Sequence, residues 1–270
     1  MENSKDKFLN IIQKSGHDFH SKVSNFLIEV GWKVIDSPHY NDPDSDKSRE
    51  IDIEAKKEFV VRYGNFDRRE EKIVVKLYIE CKYIKSPIVF WFKEKNKEKS
   101  IELAKDNPIL ENKEDYYAEG YHYVEGDWVA SRWQQSDCDI IEDAKHKVLK
   151  ALIASQNEEL EYYEIKYPII IINDFEQLAK REDGENNYSK INDNFQIEVN
   201  YSYKDKEKNS INKYFLVDLV SFSLLSDFIS KLEENDIKSL IKNLSFDLRN
   251  ENHQKRENKL DDDSNLYNAF

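Results

Sequence analysis

The sequence predicts an α/β fold, a mixed central sheet flanked by helices. Two observations carry that expectation. Strand-like runs recur along the chain at 73–84, 167–172, 195–203 and 214–220, and segments with helical spacing alternate with them. A length of 270 residues can bury one large core. No internal repeat and no clear linker divides the chain, so residues 1–270 are read as a single domain.

The first element is helical, within residues 1–31. Phe19, Val23, Phe26, Leu27 and Val30 recur at helical spacing, and Gly31 is a natural stop. Trp32 to Tyr40 reads as extended, and Asn41 to Lys47 is a polar turn with Pro43 and three aspartates. Ile51, Ile53 and Ala55 alternate with Asp52 and Glu54, a half-buried strand that Phe59 to Tyr63 prolongs. After a charged turn, Ile73 to Ile84 is strongly strand-like. Ser86-Pro87 breaks it before Ile88 to Phe92, and the three strands read as a meander. Residues 93–139 are irregular and rich in aromatics (Tyr116, Tyr117, Tyr121, Tyr123, Trp128, Trp133). Ile141, Ala144, Val148, Leu149 and Leu152 mark a long helix over 138–160. Tyr167 to Ile172 is wholly apolar, the pattern of a strand buried on both faces. Phe195 to Tyr203 and Tyr214 to Val220 form a hairpin, and Leu224 to Leu244 reads as amphipathic helix. These last elements form a C-terminal extension over about 190–245, followed by a polar tail at 250–270.

Charge and composition exclude several classes. The net charge of −13 argues against a protein that coats nucleic acid by bulk electrostatics. It is unevenly spread. Residues 101–200 hold 10 basic and 23 acidic side chains, while residues 56–99 hold 13 basic and 7 acidic. A phosphate-facing half and an acidic half are therefore compatible with the total. The longest apolar runs, Ile88 to Phe92 and Ile169 to Ile172, are too short to span a bilayer, and the N-terminus lacks a signal-peptide core. Two cysteines, Cys81 and Cys138, suit a reducing cytoplasm.

The chemistry concentrates in Leu77-Tyr78-Ile79-Glu80-Cys81-Lys82-Tyr83. On a strand, Leu77, Ile79, Cys81 and Tyr83 share one face, and Glu80 and Lys82 share the other. Two unlike charges thus sit within an apolar strand, where charge is costly unless paired or bound to a metal. Asp52 lies between Ile51 and Ile53 on a second strand. If the two strands pair, Asp52 and Glu80 converge on one cation. Mg²⁺ takes one or two carboxylates with waters and phosphate oxygens. Lys82 would then stand beside an attacking water, to orient it, help deprotonate it or stabilise developing charge. Glu-x-Lys recurs at Glu54, Glu70, Glu111, Glu164 and Glu257, but only the Glu80 copy is central in an alternating strand with a strand-borne Asp upstream. The bland alternative is a salt bridge between Glu80 and Lys82 on an exposed sheet face.

Leading helix, Asp52 in Arg49-Glu50-Ile51-Asp52-Ile53, Glu80-Cys81-Lys82, the strand 88–92, the helix after 138 and the strand 167–172 follow one another in an order that resembles the PD-(D/E)xK, or restriction-endonuclease-like, nuclease superfamily. The resemblance covers about residues 15–175 and implies an αβββαβ core. It implies Mg²⁺, with Mn²⁺ as a substitute, held by Asp52, Glu80 and the backbone carbonyl of Cys81, with Lys82 at the nucleophile. It implies phosphodiester hydrolysis, of DNA in preference to RNA, in bacterial restriction or anti-phage defence. A homodimer or a defence-system partner protein belongs to the same expectation. Many members carry a Glu on the leading helix just after an aromatic. Here His20 follows Phe19, so His20, Glu29 and the loop residue Asp44 stand as auxiliary candidates. The missing Glu, the acidic balance and the aromatic segment favour a second class, a non-catalytic nuclease-fold module that binds a partner or nucleic acid. Geometry separates the two. Catalysis needs Asp52 and Glu80 to reach one cation position beside Lys82, whereas an Asp52 that points away, or a Glu80 tied up in a buried salt bridge, decides for the binding module.

Other patterns yield plainer readings. Asp42, Asp44 and Asp46 mimic an EF-hand start, but Lys47 and Ile53 stand where Gly and Glu are needed. The six histidines lack metal-ligand spacing. Lys204, Lys206 and Lys208 read as a solvated hairpin tip, and no Gly-rich phosphate loop is present.

Overall fold

A computed structural model describes residues 16–63, 69–111, 114, 118, 120–135, 139–156, 163–182, 184, 187–205 and 207–250. The expectations for residues 1–15, Tyr116, Tyr117, Cys138, Lys206 and the tail beyond residue 250 fall outside these. The chain runs α1 (His17–Glu29), β1 (Lys33–Asp36), β2 (His39–Asn41), β3 (Ser48–Glu50), β4 (Ile53–Tyr63), β5 (Arg69–Lys82), β6 (Ile88–Glu94), α2 (Lys97–Lys105), β7 (Trp128–Gln135), α3 (Ile140–Ser155), β8 (Tyr163–Ile172), β9 (Leu178–Glu182), β10 (Ser189–Lys190), β11 (Phe195–Lys204) and β12 (Ser210–Ser221). A short α4 (Leu225–Lys231), a π-helical turn (Leu232–Ile237) and α5 (238–250) follow.

Ten strands form one mixed sheet in the order β1-β4-β5-β8-β12-β11-β7-β6-β9-β10, while β2 and β3 make a separate small hairpin. The fold is therefore α/β with a large mixed sheet flanked by helices. Strand alternation divides the core into two layers. Leu77, Ile79, Tyr167, Ile169 and Ile171 face α1, the 118–124 segment and the C-terminal helices. Tyr78, Ile170 and Ile172 face α3. Ile169 to Ile172 have no exposed surface, because β8 lies in the sheet interior with a helical layer on each side. Gly31 at φ 87° lets the chain leave α1 and turn directly into β1, a conformation that a side chain would strain.

The strand order departs from the expected meander. β1, β4 and β5 are the antiparallel neighbours, and β5 pairs in parallel with β8 from Ile73↔Tyr163 to Lys82↔Ile172. The strand at 88–94 is not the third member. It pairs with β7 and β9 on the far half of the sheet, with its amide at Ile88 bound to the Gln177 carbonyl. Ile88, Phe90 and Phe92 are buried there among α3-side residues, so the break at Ser86-Pro87 marks a change of neighbour and not a tight turn. The hairpin β11–β12 is not a peripheral extension either. β12 inserts beside β8 and β11 beside β7, because Phe215, Leu216, Val217, Leu219 and Val220 need cover on both faces. The stretch read as irregular contains α2 and β7. α2 was hidden by its charge, but Asn96 caps it by accepting the Lys99 amide.

A buried polar network fastens the C-terminal helices to the sheet. His122 hydrogen-bonds Asp236 of the π-helical turn through Nδ1 (2.5 Å) and Asp218 of β12 through Nε2 (3.0 Å). Gln196 donates to Asp218 (3.1 Å), and Lys95 donates to Gln196 (2.7 Å). Tyr121 and Tyr123 of the aromatic segment are buried and pack against Tyr167. Among the described residues no helix is long and apolar enough to cross a membrane.

Candidate active site

The ends of β5 and α3 and the entry to β4 meet on the α3 face of the sheet. Asp52 stands in the bend just before β4 and not within a strand. Its position is set by the backbone: its carbonyl accepts the Ser37 amide at 2.8 Å, and the Ile51 amide reaches the Pro38 carbonyl at 3.2 Å. Ile53 of β4 pairs with Ile79 of β5, which brings Asp52 beside the Glu80–Cys81 step. The Asp52 amide donates to Glu80 Oε1 (3.2 Å), and the Cys81 amide donates to Asp52 Oδ2 (2.8 Å). The two strands thus interlock through these side chains, and both carboxylates occupy one corner.

Glu80 has no exposed surface. The alternative of a salt bridge on an exposed face is therefore corrected to a buried one. Glu80 Oε2 lies 2.9 Å from Lys82 Nζ and 3.3 Å from Lys147 Nζ. Asp143 lies 3.3 Å from Lys82 and 3.9 Å from Lys147. Burial pushes the Glu80 carboxyl above its usual range, the Asp52 carboxylate adds to that, and the two lysines oppose it. Burial works against the charge on Lys82, but Glu80 outweighs it and holds the ammonium above its ordinary value.

α3 supplies the residues that the sequence reading missed. Asp139 caps it, accepting the Glu142 amide (3.1 Å) and the Trp133 indole N–H (2.8 Å). Asp143, Lys147 and Lys150 then recur at i, i+4 and i+7, so they share one stripe that faces the sheet corner. That polar stripe beside an apolar one was the available signal. A cleft of about 500 Å³ opens here, lined by Tyr40, Asp42, Arg49, Asp52, Lys147 and Lys150 among others. Asp42, 2% exposed, anchors its far wall. It accepts from Lys150 (2.8 Å) and from the amides of Asp44 and Ser45, with Arg49 at 3.6 Å. Burial alone would raise its pKa, but those partners hold it below the usual value.

The auxiliary candidates do not join Asp52 and Glu80. α1 packs on the opposite face of the sheet, where His20 Nε2 faces Asp36 Oδ1 at 3.2 Å. Glu29 is exposed at the last turn of α1. Asp44 is in the β2–β3 turn, 3.4 Å from Lys150 and 3.5 Å from the Tyr201 hydroxyl, and supports the cleft wall. Cys81 points to the α1 face, and its amide is the group engaged with Asp52.

The donor set suits a hard divalent cation. Among the described residues no three His, Cys, Asp or Glu side chains form a closed cage. Mg²⁺ does not require one, since it keeps waters and takes one or two carboxylates. Asp52 lines the open cleft and Glu80 lies buried directly behind it, and the repulsion between the two carboxylates is what a cation relieves. Set against known protein families, curated proteins and solved structures, the chain matches none.

Proposed function

We propose that the protein is a metal-dependent nuclease that hydrolyses phosphodiester bonds, with DNA as its substrate. The observation that carries this reading is the interlocked corner, in which Glu80 accepts the Asp52 amide, Asp52 accepts the Cys81 amide and Lys82 stands 2.9 Å from Glu80. The element order lends support. A helix (α1), three antiparallel strands (β1, β4, β5), a helix (α3) and a strand parallel to β5 (β8) are compatible with an αβββαβ order, with β1 counted instead of 88–92 and with β2, β3, β6, α2 and β7 interposed.

Asp52 and Glu80, with the Cys81 carbonyl, would hold Mg²⁺ or Mn²⁺, which supplies positive charge to the phosphoryl group. Lys82, kept as an ammonium by Glu80, orients the attacking water and stabilises the charge that develops as it adds. The cleft admits the phosphodiester from the side of Arg49, Lys147 and Lys150. The biological setting in this reading is bacterial restriction or anti-phage defence, with a homodimer or a defence-system protein as partner.

A second reading has its own observation. Glu80 is bound in a buried ion pair with two lysines, the arrangement that favours a non-catalytic binding module. Plasmid and oligonucleotide cleavage with Mg²⁺ or Mn²⁺ decides between them. Asp52→Asn, Glu80→Gln and Lys82→Met should each lower the rate by about 100-fold or more. Activity unchanged in all three removes the site assignment, and wild-type protein that binds DNA without cutting it favours the module.

A further inference from the structure

Resting on the metal-site reading above, we infer that Lys147 is an internal counter-ion of that site: its ammonium occupies the Glu80 carboxylate until a divalent cation displaces it, and it then serves as the cleft's phosphate contact. One oxygen, Glu80 Oε2, receives both Lys82 and Lys147, at 2.9 and 3.3 Å. The two lysines differ in how they are held. Lys82 belongs to the same strand as Glu80, and its side chain is 17% exposed. Lys147 reaches across from α3 and is 36% exposed at the wall of the cleft. A cation bound to Glu80 would lie about 2.1 Å from the carboxylate oxygen, too close to two ammoniums for both to stay.

Lys147 is the one free to leave. It comes from another element, it is the more exposed of the two and it opens onto the cleft, and Asp143 one turn earlier on α3, which also pairs with Lys82, offers it a second carboxylate 3.9 Å away. Asp143 is 60% exposed, so a lysine that shifts toward it points into solvent, where a substrate phosphate would approach. The displaced charge is therefore not lost from the site. It moves from a carboxylate that the metal needs to a position where a phosphate needs a cation.

Calorimetric titration with Mn²⁺ alone, with no substrate present, reads this directly. Lys147→Met should bind Mn²⁺ about tenfold more tightly than the wild type, because the competing charge is gone. Lys147→Arg, which restores that charge, should return the affinity toward wild type. In parallel, in a Lys82→Met background that keeps the DNA uncut, Lys147→Met should weaken DNA binding with Mn²⁺ present, reduce the slope of log affinity against log salt by about one, and change binding much less without metal. General damage to α3 would weaken both ligands, so tighter metal with weaker DNA is the diagnostic pair. Glu80→Gln separates the two proposals. If it abolishes Mn²⁺ binding while Lys147→Met leaves the affinity at or below wild type, the counter-ion role is overturned and the metal site stands. If neither wild type nor Lys147→Met binds Mn²⁺, or binding survives Glu80→Gln, both fall.

Discussion

Replacing His122 by Gln should change how stability depends on pH, and the structure sets the size of the change. Burial alone would lower the imidazole pKa from its ordinary 6.5, but Asp218 and Asp236, on either side of the ring, push it up to about 10. A raised pKa means that the folded state holds a proton which the unfolded state releases. The stabilisation is complete below the unfolded value and is lost as the pH rises through 6.5 toward about 10. Each pH unit within that window costs about 1.4 kcal/mol, falling to about half of that at its lower end, where half of the unfolded imidazoles are still protonated. From pH about 6.5 to 8 the wild type should therefore lose about 1.5 kcal/mol. Lys95 acts in the opposite direction at higher pH. Burial brings it from 10.5 down to about 8, so above that pH the folded state has shed a proton that the unfolded state keeps, and stability recovers. The two slopes nearly cancel between about pH 8 and 10, which predicts a fall followed by a plateau. Urea-unfolding free energies measured across that range read both parts. In His122→Gln the initial fall should vanish, although the variant is less stable throughout because two buried carboxylates lose their partner. Parallel curves for wild type and variant would refute the reasoning.

Two further predictions concern the candidate site. Burial pushes the Cys81 thiol well above its ordinary value, and the Asp52 and Glu80 carboxylates push it further. Peptide-resolved mass spectrometry should show Cys81 alkylated by iodoacetamide at pH about 8 at least tenfold more slowly in native protein than in urea, and equal rates would contradict the assigned environment. Asp139→Ala removes the cap of α3 and the acceptor of the Trp133 indole, and should cost about 1–2 kcal/mol in chemical denaturation, whereas Asp139→Asn should recover most of that.

Much of the candidate site was legible because period two is a property of the strand itself. Glu80 and Lys82 had to share a face, and Leu77, Ile79 and Cys81 the opposite one, whatever packed on them. The run Ile169 to Ile172 likewise announced a strand covered on both sides, and all four residues are buried. Lys147 was not legible as a partner of Glu80, although its helical stripe was. Nothing local pairs two residues 67 positions apart, and the 3.3 Å contact exists only because α3 lies across the end of β5. The same holds for His20, whose helix could have packed on either face of the sheet and took the one away from Glu80.

What the sequence by itself determined was therefore a set of local facts: the strongly periodic strands and helices, though not α2 or β7, which side chains share a face, and that Glu80 and Lys82 form one charged pair within an apolar strand. The tertiary structure decided the neighbours. It set β8 and not 88–94 beside β5, drove the β11–β12 hairpin into the middle of the sheet, buried Asp42, and joined His122 to aspartates 96 and 114 positions away. The physical reason is that periodicity is written in a few consecutive residues. Strand order depends instead on which apolar faces can cover one another across the whole chain, and closing the long loops this requires costs little more than closing short ones.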